Sequence, residues 1–76
     1  MATAYLKIWV NVGTETAVRD ALLKVKGVRR ADLTTGDQDI IVLMEAGDYH
    51  SLLNAILTSV RSIQGIDRTV TNLVLE

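Results

Sequence analysis

The sequence predicts an α+β domain with the element order β-α-β-β-α-β, a four-stranded antiparallel sheet and both helices on one face. Three observations carry this expectation. Apolar residues alternate with period two near the start of the chain and form a dense apolar run at residues 39–46. Between and after these runs lie two stretches with helical spacing, each followed by a glycine. The strand–helix–strand plan then occurs twice, in the same order and with matching junctions.

Residues 4–12 form the first predicted strand. Leu6, Ile8, Val10 and Val12 share one face, and Tyr5, Lys7, Trp9 and Asn11 share the other. Gly13 interrupts the alternation. Thr14 is a helix-capping residue type, and Glu15 places an acid where the helix dipole favours one. Ala17, Val18, Ala21, Leu22 and Val25 then recur at helical spacing up to Gly27, the expected stop. Residues 28–35 read as a second strand and Gly36-Asp37 as a turn. Residues 39–46 are apolar on both faces. Gly47 ends that strand, and Asp48 is a good N-cap for a helix striped by Tyr49, Leu52, Leu53, Ile56, Leu57, Val60 and Ile63. Gly65 closes it, and residues 66–75 form the last strand.

The junctions repeat. Gly13-Thr14 and Gly47-Asp48 each lead from a strand into a helix, while Gly27-Val28 and Gly65-Ile66 each lead from a helix into a strand. Two βαβ units in one chain are the split plan of the ferredoxin-like fold, and the right-handed rule for crossovers puts both helices on the same side. The other sheet face is then bare. It carries Tyr5 and Trp9 from the first strand and one of the two apolar sets of the third. A large apolar patch of this kind marks a partner surface, and the simplest partner is a second copy packed sheet on sheet.

Composition narrows the function. The chain has 76 residues, enough for a single domain over 1–76 with a marginal core. It has no Cys and one His, His50, which excludes disulfides, thiolate sites and multi-histidine zinc sites. Self-association is the remaining way to add stability, and 49% hydrophobic residues favour it. A net charge of −1 argues against direct binding of nucleic acid. Lys24, Lys26, Arg29 and Arg30 read as a solvated helix end and strand start. No run is long and apolar enough for a membrane helix and no leader is visible, so the expectation is a cytosolic protein without a membrane partner.

The segment Thr34-Thr35-Gly36-Asp37-Gln38-Asp39-Ile40 resembles the turn motif of the effector domain in Lrp/AsnC transcription regulators, roughly Thr-Gly-Asp-Tyr-Asp before apolar residues. The Gly27-Val28 and Gly65-Ile66 steps and the closing Arg68-Thr69-Val70-Thr71-Asn72-Leu73-Val74-Leu75 are similar to that family's landmarks. The likeness spans nearly the whole chain. It implies a dimeric α+β barrel assembling further, often as a ring of four dimers, and an amino acid or related metabolite bound between dimers. Carried over by position, it singles out Gly36, Asp37 and Asp39 as ligand contacts, with Thr35 and Gln38 alongside. The resemblance implies no cofactor. Independently of the resemblance, Thr69 and Thr71 share one face of the last strand and are candidates to line a cleft, although threonines also simply suit a strand, and Tyr5 and Trp9 on the open face are the candidates for the dimer interface. Gln38 stands where the family often has Tyr, and the first strand begins almost at Met1, where family members carry a helix-turn-helix domain. The expectation is therefore a stand-alone effector domain, sensing a metabolite or joining a full-length Lrp/AsnC regulator in a mixed oligomer.

Other readings compete. Gly-Asp is ordinary turn chemistry, and Asp37 and Asp39 also fit as solvated acids. Two acids two residues apart on a strand share a face, roughly 7 Å apart at Cα, a spacing compatible with acid–base work but found between any alternate residues. No nucleophile with a base stands near them, and His50 falls off the apolar stripe, so an enzyme similar to small cofactor-free α+β barrel oxygenases is a minor alternative. ACT domains share the fold and ligand class, but their ligand turn follows the first strand, where this chain has Asn11-Val12-Gly13-Thr14.

Overall fold

The computed structural model describes residues 1–75. Strand β1 runs Ala2–Val10, helix α1 Glu15–Leu23, β2 Val28–Leu33, β3 Ile40–Ala46, helix α2 Tyr49–Ala55 and β4 Ile66–Leu73. The strands form one antiparallel sheet in the order β2-β3-β1-β4, which is the predicted ferredoxin-like plan.

The period-two pattern of β1 decides which side is the core. Ala2, Ala4, Leu6, Ile8 and Val10 are buried against the helices. Pairing of Leu6 with Val42 and Ile8 with Ile40 puts Ile40, Val42 and Met44 on the same face. Val18 and Leu22 of α1 and Leu52 of α2 close over them. The second apolar set of β3, Ile41 and Leu43, points to the open face with Tyr5 and Trp9 and remains partly exposed.

The second helix departs from expectation in form. After Ala55 it continues as a π-helical stretch over Ile56–Val60, and the Arg61 N–H donates to the Ile56 carbonyl at 3.0 Å. Within this stretch the Thr58 hydroxyl donates back to the Asn54 carbonyl at 2.8 Å. Ile56 and Val60 still reach the core, whereas Leu53 and Leu57 of the same predicted stripe are left largely exposed. The helix therefore ends before Ile63 and Gly65, although Ile63 packs on the core from the following turn.

Other boundaries shift for identifiable reasons. The first strand starts earlier than residue 4 and stops at Val10, beyond which the Asn11 N–H donates to the Gly65 carbonyl at 2.8 Å. Thr14 does not cap α1 with its side chain: its hydroxyl donates to the Asn11 carbonyl at 2.6 Å. The second strand stops at Leu33, the third starts at Ile40 and the last ends at Leu73, each short of the expected limit.

Asp48 caps α2 as expected, its Oδ1 accepting from the Ser51 N–H at 2.7 Å. The backbone and side-chain hydrogen bonds from Ser51 hold its carboxyl below the ordinary value. A carboxylate with a depressed folded-state pKa stabilises the native state above its unfolded pKa, and that contribution disappears as pH falls through the folded value. Asp48→Ala is therefore expected to lower the melting temperature at pH 7. The gap to wild type should close as pH is lowered through the acid range, as thermal melts across pH would show.

Candidate functional site

The predicted ligand turn is built where β1 outruns β3. The last β1–β3 pair is Ile8 with Ile40, so the backbone of Val10 has no partner from β3. Asp39 supplies one: its Oδ2 accepts from the Val10 N–H at 2.9 Å, and its own N–H donates to the Ile8 carbonyl at 3.0 Å. The β1–β4 register shifts between Trp9 and Val10, and such bulges re-aim side chains. Trp9 sits at this bulge and donates its indole N–H to the Asp37 carbonyl. The turn is thus latched at Asp37 and at Asp39 to the end of β1.

Inside the turn, the Thr34 N–H donates to the Asp39 carbonyl at 2.9 Å. Gln38 is the one buried polar side chain among the described residues, and its amide donates to the Thr34 hydroxyl at 3.1 Å. At the position where the resembling motif has an aromatic, this chain has a glutamine that faces inward and ties the turn to itself. Gly36 makes the reversal with a φ of 124°. Thr35, Gly36 and Asp37 remain exposed at the tip. The two acids consequently differ in role. Asp39 satisfies a strand N–H, while the Asp37 carboxylate takes no hydrogen bond or ion pair within the described residues.

The structure does not bring Thr69 and Thr71 to this turn. Their partners across β1 are Ile8 and Leu6, which puts both threonines on the helix side of the sheet. They stand two strand spacings from Ile40, roughly 10 Å. There they line a groove of about 500 Å³ with Leu53, Leu57, Arg61 and Arg68. Tyr5 lies on the open face, 49% exposed. Trp9 is less bare than the sequence suggested. Besides its bond to Asp37, its ring lies under the Arg68 guanidinium, 4.4 Å from the ring centroid. Arg68 escaped the reading of the sequence because the Trp9–Arg68 pairing depends on the strand register.

A larger concavity, about 710 Å³, lies between the start of α2 and the Gly27 turn, lined by Lys26, Arg29, Glu45, His50, Ser51 and Asn54 among others. It contains none of the expected ligand residues, and Arg29 there is already paired with Glu45 at 2.8 Å. We therefore place the candidate site at the turn, although its residues line neither concavity. The Asn11–Thr14 segment is occupied by its own bonds: Asn11 reaches Gly65, and the Thr14 hydroxyl reaches Asn11. Those groups are not free for a ligand of the ACT type. No cluster of acids, histidines or cysteines suited to a metal ion exists among the described residues, and none of their helices is long and apolar enough to cross a membrane.

This fold and turn define a class of regulatory ligand-binding domains. Residues 3–76 match the model of the Lrp/AsnC ligand binding domain, and the chain belongs to that family. Over its full length it is 38% identical to a segment of a homocitrate synthase of Sulfolobus acidocaldarius, of which it covers 16%. The chain thus spans about a sixth of the length of that relative. Among solved structures it is similar to the Thermus thermophilus protein TTHA0845, with a TM-score of 0.94, 25% identity and coverage of 100% of this chain and 95% of that one. It also superposes on a transcriptional regulator of Neisseria meningitidis solved as an L-Met complex, with a TM-score of 0.84 and 16% identity, covering 99% of this chain and 50% of that one. At that identity the likeness concerns the fold.

Proposed function

We propose that this chain binds a free amino acid at the Thr35–Asp39 turn, in an oligomer whose subunits complete the site, and passes the binding event to a partner. The observation that carries this reading is the latched turn. Trp9 and Asp39 hold its backbone in place, and the Asp37 carboxylate is left exposed and uncommitted. An exposed carboxylate beside a fixed backbone suits an ammonium group. In one chain the turn has no opposing wall, and neither groove described above includes it. Small-molecule sites bury most of their ligand, so a neighbouring subunit has to supply the remaining walls. The half-exposed face bearing Tyr5, Ile41 and Leu43 is the surface for dimer formation, and further assembly of dimers brings turns to a shared boundary. Thr69 and Thr71, on the helix side, enter the site only across such a boundary. The L-Met complex of the Neisseria regulator supports the ligand class.

Two recipients of the signal are open to this domain. The family resemblance points to a full-length Lrp/AsnC regulator joined in a mixed oligomer. The segment shared with homocitrate synthase points instead to an enzyme regulated by such a domain.

Thermal melts with each free amino acid at millimolar concentration test the ligand class. Ligand at about 100 times its Kd stabilises the native state by roughly 2.7 kcal/mol, several degrees for a small domain. One or a few amino acids should raise the melting temperature. Asp37→Ala should abolish the rise while leaving the unliganded melt within about 0.5 kcal/mol of wild type, as for a surface change. Asp39→Ala should lower the unliganded stability itself by about 1–3 kcal/mol, because it orphans the Val10 N–H. A flat response to all amino acids refutes the ligand assignment.

A further inference from the structure

We propose that Arg68 receives the carboxylate of the bound amino acid and so makes the site selective for the free acid over derivatives that lack that charge. The assignment rests on the amino-acid reading above and extends it to a residue outside the turn motif.

Arg68 stands directly across from Trp9 in the β1–β4 register, at the bulged end of both strands. Its guanidinium lies over the indole, 4.4 Å from the ring centroid. The same indole donates its N–H to the backbone of Asp37. One aromatic ring therefore holds a cation on its face and the acidic turn at its edge. A free amino acid presents the complementary pair, a carboxylate and an ammonium group on one carbon.

Arg68 is also uncommitted. The ion pairs among the described residues join Arg19 to Asp20, Arg29 to Glu45 and Arg30 to Asp32, and none involves Arg68. Its cross-strand neighbour is aromatic rather than acidic, so the sheet offers it no carboxylate of its own. A guanidinium stacked on an aromatic ring loses little freedom when it binds and keeps its N–H edge available for a two-point contact with a carboxylate. A lysine at this position would carry the charge without the planar fork.

The test compares the twenty free amino acids with their methyl esters, which keep the ammonium and side chain and lose the acid charge. Binding is read from thermal shifts and from Trp9 fluorescence. Wild type should bind the responding acid at least about tenfold more tightly than its ester. Arg68→Gln should weaken the acid by roughly tenfold to a hundredfold and leave the ester unchanged, since charge-assisted hydrogen bonds carry differences of that size. Arg68→Lys should fall between, and Lys24→Gln, at the exposed end of α1, should keep the wild-type ratio. An unchanged acid-to-ester ratio in Arg68→Gln overturns the assignment while the amino-acid site stands. Equal weakening of acid and ester also overturns it, because that marks a role in shape alone. No response of wild type to any acid removes the amino-acid reading and this assignment together.

Discussion

Gly27→Ala is expected to destabilise the domain by about 3 kcal/mol or more, a large share of the stability available to a chain of this size. Gly27 has a φ of 98°, a conformation that costs any L side chain roughly 1–3 kcal/mol. A Cβ there would also lie 2.6 Å from the Glu45 carbonyl oxygen. That oxygen belongs to the backbone, and the same strand segment donates the Glu45 N–H to the Gly27 carbonyl at 2.9 Å. Relief would therefore require β3 to shift or that bond to break. Gly13→Ala is the matched comparison. Its φ is 90°, yet an added Cβ meets nothing within 4 Å, so only the conformational cost remains. Urea denaturation of both variants should separate the two contributions. Equal losses at the two sites would show that the close approach to Glu45 relaxes at no cost.

Leu6→Ala should cost about 2–5 kcal/mol, the range for a large-to-small change in a packed core. Leu6 is fully buried at the middle of β1, between Val42 and Thr71 on the neighbouring strands. The informative partner variant is Leu43→Ala, on the other face of the sheet. Within one chain Leu43 is only partly buried, and its truncation should cost less than that of Leu6. If the open face packs on a second copy, the loss at Leu43 becomes large and the melting temperature comes to depend on protein concentration. Chemical and thermal melts over a hundredfold concentration range measure this. Concentration-independent melting of wild type and Leu43→Ala alike would contradict the dimer proposed above.

The contrast between these leucines also indicates what could be read from the sequence. Period two in β1 and the glycine-bounded stripes were sufficient for the element order and the core face, because both are local consequences of backbone geometry. That β3 must turn one apolar set outwards followed from the same alternation. The π-helical form of the second helix over Ile56–Val60 did not follow, because the apolar stripe has the same residues in either helical form. At the candidate site, the turn at Gly36 was legible from residue types. The separate tasks of Asp37 and Asp39 were not, since they depend on β1 extending past its pairing with β3. Thr69 and Thr71 were correctly placed on one face of a strand, but which face it was required the β1–β4 register.

The strand order bears on how the molecule avoids uncontrolled growth. β2 and β4 are the two borders of the sheet, and a free border is a template on which further strands can add without limit. On β2, Arg29, Arg30 and Asp32 are exposed, two of them engaged in the Arg30–Asp32 ion pair. Asp67, Arg68 and Asn72 similarly make β4 polar. Adding another strand at either border would force charged side chains together or strip them of water. Stacking through the broad face, by contrast, would cover the apolar area of that face in both copies at once. The charged borders therefore disfavour open-ended growth by strand addition.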